Sequence, residues 1–297
     1  MHIMDKIINR LRNLTKGLLF QLYFGLYDLV KSNKVVVNYW IAPRSDPQFY
    51  NFGDDLNRFL VHLISGKKVI PYRYSILSRI KKEPNYICVG SVISQLTNEQ
   101  TIIWGGGVLS PDLPLPRKPC QVLAVRGPLT RDYLLKNGVE CPKVYGDPAL
   151  LLPNYYQPSS YDKKFKIGLI PHYRDKNNVI IDKYRQEKEV FVLDVQRYGS
   201  FERFIDIVCS CELIISSSLH GLIISDAYGI PNVWVEFSEG KVENFKFEDY
   251  FLSVERSLEN LPIKITPSSS INELMQYQVG WHPPRIKLDA LRRCSPF

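Results

Sequence analysis

Paired cysteines are missing from this chain. Its six cysteines (Cys88, Cys120, Cys141, Cys209, Cys211 and Cys294) form no C-x-x-C and stand at no zinc-like spacing from a histidine. A zinc site is therefore not expected. Cys209 and Cys211 make only a C-x-C and Cys88 falls in an apolar strand, so reduced, mostly packed thiols of a cytosolic protein are the expectation. There is no G-x-G-x-x-G and no Walker sequence, which leaves a dinucleotide site or P-loop without support. No apolar run reaches the roughly 20 residues of a transmembrane helix. The candidate, residues 17–30, is broken by Gln21 and Asp28. A basic start before an apolar run imitates a signal peptide, but no small-x-small cleavage site follows. A fixed-period repeat is lacking. So is any nucleic-acid motif or basic–aromatic run elsewhere, and no nucleic-acid partner is expected.

What is present describes a soluble globular protein. The 297 residues are 45% apolar and 23% charged, ordinary values that suit about two domains with a core needing no disulfide or metal staple. Net charge is +8, and half of it lies in residues 1–34, where Lys6, Arg10, Arg12, Lys16, Lys31 and Lys34 face only Asp5 and Asp28. Two readings of this segment stand side by side: a basic amphipathic helix on an anionic membrane surface, or a helix docked on the protein's own core.

Short β-branched runs bounded by small residues read as buried parallel strands. They fall at Val35–Trp40, Ile87–Val89, Ile102–Trp104 and Val122–Val125, then at Phe165–Ile170, Val190–Leu193, Leu213–Ile215 and Val233–Val235. Helices are expected from Asp55 to Ile64 and from Pro128 to Lys136, where Asn137-Gly138 would end the second. The polar, proline-flanked stretch 153–160 has linker character. The organisation expected is a helix over 1–34, a Rossmann-like domain over 35–155, a second over 160–270, and a tail over 271–297 that packs back. The fold class is α/β, with two Rossmann-like domains facing across a cleft.

The densest signal is Ser216-Ser217-Ser218-Leu219-His220-Gly221 between two apolar runs. It places hydroxyls, a histidine and a glycine where a strand ends and a helix begins, the edge at which open α/β sheets bind ligands. His220 is the ionisable side chain of that turn and a candidate acid–base group; the alternative is a histidine that only packs the turn. Asn51-Phe52-Gly53-Asp54 leads into a helix, where Asp54 reads as an N-cap and Gly53 as a point of close backbone approach. Gly105-Gly106-Gly107 follows a strand and either cradles a phosphate or turns the chain. Arg126 directly follows a strand, suited to gripping carboxylate or phosphate, whereas Arg131 reads as a surface residue. Asp147 reads as a structural cap. His172 borders the cleft or a solvated loop, and Lys241 and Lys246 either reach an anion or lie on the surface.

Together these residues resemble the polysaccharide pyruvyl transferase family. The order is N-x-G-D (51–54), G-G-G (105–107), V-R-G-P-L-T-R (125–131), G-D-P-A (146–149), S-x-x-L-H-G (216–221), then Lys246-Phe247 with Asp249-Tyr250. The resemblance spans roughly residues 35 to 255 and is strongest over Arg126–Leu151 and Ser216–Pro231. It implies a glycosyltransferase-B-like architecture and transfer of the carboxyvinyl unit of phosphoenolpyruvate to two hydroxyls of a sugar, giving a cyclic ketal and phosphate. The expected acceptor is a hexose, carried on a lipid such as a polyprenyl diphosphate at the inner leaflet. No cofactor or metal is implied. His220 would move the proton while Arg126 and Lys246 hold the donor. Substrate contacts are expected from Asn51, Gly53, Asp54, Gly106, Gly107, His172, Ser217, Ser218, Leu219, Gly221 and Lys241. Many members carry arginine immediately before Leu-His-Gly; Ser218 stands there in this chain, so that arginine's part must pass to another group. The rival readings are a nucleotide-sugar glycosyltransferase of the same fold and a non-catalytic carbohydrate-binding subunit.

Overall fold

Parallel strands joined by helices build both halves of the chain. The computed structural model describes residues 18–19, 21–29, 33–41, 51–237 and 244–297. A helix over residues 21–29 (α1) precedes β1 (Lys34–Val37), α2 (Phe52–Ser65), β2 (Lys68–Pro71), α3 (Ile76–Ile80), β3 (Asn85–Ile87), α4 (Ile93–Leu96), β4 (Thr101–Trp104), β5 (Gln121–Ala124) and α5 (Pro128–Lys136). The second half runs β6 (Phe165–Ile170), α6 (Val179–Tyr184), β7 (Val190–Val192), α7 (Phe201–Cys209), β8 (Cys211–Ser216), α8 (Leu219–Ala227), β9 (Asn232–Glu236), α9 (Phe245–Ser253), β10 (Ile263–Lys264), α10 (Ile271–Met275) and α11 (Leu288–Arg293).

The first sheet has the order β2-β1-β3-β4-β5 and the second β10-β9-β8-β6-β7, with parallel pairing throughout. Numbered within each half, both follow 2-1-3-4-5, the strand order of flavodoxin-like sheets. The reversal point lies between β1 and β3 in one half and between β6 and β8 in the other. Ligands bind at such points, outside the carboxyl ends of the strands.

Several expected bounds move. β1 ends at Val37 rather than Trp40, because Asn38 turns inward and donates its amide to the Leu96 carbonyl at 2.7 Å. α2 begins at Phe52 rather than Asp55, capped by Asn51, whose side chain accepts from the Gly53 amide at 3.2 Å. Asp54 is thus not the cap; it lies in the first turn. Stretch 153–160 is no loose linker. A 3₁₀ helix, Pro148–Asn154, buries Leu150, Leu151 and Leu152, and Asp206 accepts from Tyr156 and Ser159 at 2.8 and 2.7 Å.

The halves share a core. Phe52, at the start of α2, stacks on Phe204 of α7 with centroids 3.6 Å apart, and its amide donates to the Val195 carbonyl at 2.8 Å. From the tail, the Leu291 carbonyl accepts from the indole of Trp104 at 2.9 Å, and Phe297 meets the Trp104 ring edge-on. α1 is docked through Phe24, packed against Tyr74, and through Asp28. That carboxylate accepts from Ser78 and pairs with Lys34 at 2.6 Å.

Candidate active site

The two strand-order reversal points face one cavity. From the first half it is lined by Trp40, Asn51, Asp54, Gly90, Ser91, Val92, Gln95 and Leu109, and from the second by His172, Tyr173, Arg174, Ser218, Leu219, His220 and Lys246. His172 follows β6, and Ser218 to His220 follow β8, so both edges of the second sheet's reversal deliver side chains to it.

His220 sits in the first turn of α8 and the Nδ1 side of its ring packs on α2. A Cβ added to Gly53 would fall 2.1 Å from its Nδ1, so only glycine allows the approach. On the other edge, Nε2 faces Oδ2 of Asp147 at 3.8 Å. Both atoms are buried with no hydrogen-bond partner. The second carboxylate oxygen of Asp147 accepts from the Ala149 amide at 3.0 Å, capping the 3₁₀ helix as its sequence suggested. Burial, then repulsion from Arg126 and Lys246, pushes the His220 pKa down to about 3. Burial pushes Asp147 up to about 7. Asp54, freed from capping, is likewise raised to about 7 by burial and by Asp55 beside it. His172 falls to about 3 through burial and the positive charges of Lys246 and Arg174. The cavity therefore sets two cationic side chains, Lys246 and Arg174, beside two imidazoles that resist protonation, an environment that favours an anion.

Arg126 is placed differently from its sequence reading. It is wholly buried and does not line the cavity. Nε donates to Asp249 at 3.0 Å, one terminal nitrogen to Ser91, and the other to the Val108 carbonyl at 3.0 Å. Asp249 also accepts from the amide and hydroxyl of Thr130 at 2.8 and 2.7 Å. Arg126 is thus a strut between the first half and α9, touching the cavity wall through Ser91.

Of the other expected contacts, Asn51, Asp54, His172, Ser218, Leu219 and Lys246 do meet in the cavity. Gly106, Gly107, Ser217 and Gly221 stand behind its wall. A Cβ on Gly106 would strike Ile87, on Gly107 the Arg126 guanidinium, and on Gly221 the Ser216 hydroxyl. The amides of Gly105 and Gly107 are taken by the Ala124 and Gly90 carbonyls at 2.8 and 2.9 Å, so this run packs closely instead of cradling a phosphate. Ser217 donates to Asp175 at 2.7 Å and accepts from the His172 amide at 2.8 Å, holding that loop in place. Lys241 lies outside the described residues. Arg174, Ser91 and Gly90 were missed. Two of them sit in the turn that follows β3, where Gly90 takes φ +106, a strand-to-glycine junction like those of the other site loops.

All six cysteines are free. Among the described residues no three or more metal-ligating side chains cluster, and no helix is long and apolar enough to cross a membrane.

The fold and the site define a two-sheet α/β protein with an anion-favouring cavity and a buried imidazole. The chain matches the family described as polysaccharide pyruvyl transferase over residues 21–239, and it belongs to that family. By family it is a pyruvyltransferase of polysaccharide biosynthesis. It is 30% identical over 208 residues to the uncharacterized protein L143 of Acanthamoeba polyphaga mimivirus, covering 67% of this chain and 69% of that one. To the succinoglycan biosynthesis protein ExoV of Rhizobium meliloti (strain 1021) it is 28% identical over 221 residues, 71% of this chain and 62% of ExoV. An uncharacterized Klebsiella pneumoniae protein of known structure, KP1_0663, aligns with 84% of this chain and 98% of its own at 16% identity and a TM-score of 0.44.

Proposed function

We propose that this protein transfers the carboxyvinyl unit of phosphoenolpyruvate to two hydroxyls of a hexose in a surface polysaccharide or its lipid-linked precursor, forming a cyclic ketal and releasing phosphate. The observation that carries the reading is the convergence of Lys246, Arg174 and His220 on one cavity between the halves. The donor bears a carboxylate and a phosphate, which fixed cations can hold without a metal. Arg174 supplies the guanidinium that position 218 lacks, in the same cavity as Lys246. Protonation of the donor methylene creates an oxocarbenium-like centre at the neighbouring carbon. One sugar hydroxyl attacks it, phosphate departs, and the second hydroxyl closes the ring. His220 handles the methylene proton; Asn51, Asp54 and His172 orient the sugar. Arg126 acts through the wall it braces and through its positive charge. The halves are read as arranged in the glycosyltransferase-B manner, the acceptor entering along the cleft.

The test supplies phosphoenolpyruvate and a lipid-linked oligosaccharide to the purified chain, in heavy water. Phosphate release, a pyruvate mass increment on the acceptor and deuterium in the ketal methyl support the reading. Release of a nucleoside diphosphate from a nucleotide sugar overturns it. Gly53→Ala gives a second check. Helix propensity favours alanine by about 1 kcal/mol, yet the ring of His220 must move. Displacements near 1 Å cost roughly 10²-fold, so turnover should drop by that order in a folded protein. Unchanged turnover would mean the ring's position is immaterial.

We also propose that the protein sits at the inner face of the cytoplasmic membrane. α1 is docked through Phe24 and Asp28, yet Leu18, Leu19, Leu22, Leu26 and Leu29 are 48–63% exposed on its other side. Apolar side chains beside a basic surplus fit an anionic lipid surface. Since α1 also covers the core, deletion would confuse two effects. Replacing Leu18, Leu22, Leu26 and Leu29 by glutamine should leave the fold intact and abolish sedimentation with phosphatidylglycerol vesicles. Wild-type binding should itself weaken with salt, as screening shortens to about 3 Å at 1 M. Undiminished binding by the glutamine variant would refute the surface.

A further inference from the structure

We propose that Asp147 is the proton partner of His220, acting through the imidazole on the substrate, a step that rests on the reading above. The geometry is specific. Nε2 of His220 and Oδ2 of Asp147 face each other at 3.8 Å, and each is enclosed without any hydrogen-bond partner. Two buried polar atoms left unmade cost free energy that a structure does not normally tolerate. A small approach of the two side chains would satisfy both at once. Asp147 is held for this by its other oxygen, which the Ala149 amide fixes at 3.0 Å. The ring is held by Gly53 on its far edge. With Nε2 turned to the carboxyl, Nδ1, which borders Gly53 where His220 lines the cavity, is the nitrogen left for a substrate.

The pair explains how a histidine so hard to protonate can donate a proton. An imidazolium is disfavoured here by burial and by Arg126 and Lys246. A neutral imidazole with its proton on Nδ1 needs no imidazolium. As the π electrons of the donor's C=C bond form the new C–H bond, the Nδ1–H bond breaks. The Oδ2–H bond of Asp147 breaks in turn and its proton moves to Nε2. Charge ends as carboxylate on Asp147 and as the oxocarbenium-like centre on the donor. The attacking sugar hydroxyl returns a proton along the same path, restoring both groups. The other ionisable neighbours of Asp147 are Arg126, Cys88 and Tyr250. Burial raises the thiol and the phenol above their ordinary values, so neither titrates near neutrality.

Asp147→Asn separates this role from capping, because the amide oxygen can still accept from Ala149 while the nitrogen offers no transferable proton. Nitrogen-15 NMR of the ligand-free wild type should show His220 neutral with its proton on Nδ1, moving to Nε2 as pH rises through about 7, where Asp147 ionises. In Asp147→Asn the Nδ1–H form should persist across that range. kcat with phosphoenolpyruvate should fall roughly 10²-fold or more with KM little changed, and the alkaline limb near pH 7 should vanish. Wild-type kcat and pH profile in the variant would overturn the proposal. So would a wild-type tautomer that ignores pH, a result that needs no variant to fold. If the tautomer switch is seen but wild type releases no phosphate from phosphoenolpyruvate, the pairing stands and the pyruvyl-transfer reading fails.

Discussion

His220→Asn should lower kcat by roughly 10²–10⁴-fold while changing donor affinity much less. Asparagine keeps a polar side chain of similar reach but cannot pass a proton between two atoms. The donor's charges meet Lys246 and Arg174, which the substitution leaves in the cavity. KM for phosphoenolpyruvate should therefore stay within a few-fold while turnover collapses, and the rate at which deuterium enters the ketal methyl from heavy water should fall in proportion. Steady-state kinetics and mass spectrometry of the product read both effects. Near-normal kcat in a folded variant would reduce His220 to a packing residue of the α8 turn.

Asp249→Ala should destabilise the protein by about 3–5 kcal/mol, the cost of leaving one partner of a buried pair charged and alone. The Arg126 guanidinium is wholly enclosed and its Nε bond goes to Asp249. The same substitution strips Thr130 of two hydrogen bonds. Urea denaturation followed by tryptophan fluorescence should show a much lower midpoint. Arg126→Met combined with Asp249→Leu should recover a large part of the loss, because replacing both charges removes the unpaired one. A midpoint equal to wild type in the single variant would show that the pair does not brace α9.

Much of the fold was written in apolar periodicity. The β6 and β8 runs are continuous because both strands are interior to a parallel sheet, and that burial is what their residues record. β2 and β10 were not legible. Lys68–Pro71 is short and begins and ends on residues that argue against a strand, and Ile263–Lys264 is a two-residue edge. Site residues were legible where a strand end fixed their position, as for His220 and His172. Direction was not legible. Arg126 stands at the expected strand end yet turns away from the cavity, because the carboxylate that claims it lies 123 residues further along the chain. Asn51 and Asp54 are both good caps by type, and three residues of spacing do not say which one the helix uses. Arg174 sits in a loop without periodicity, so nothing local marked it.

The stacking of Phe52 on Phe204, with Phe201 and Tyr198 around it, bears on how the protein can be handled. Two sheets of identical strand order invite cutting the chain between them and making each half alone. Either half would then carry a bare aromatic face, and the first would also lose Leu291 from above Trp104. The two sheets are separate in topology but share one core, so a cut between them is expected to leave neither half folded alone.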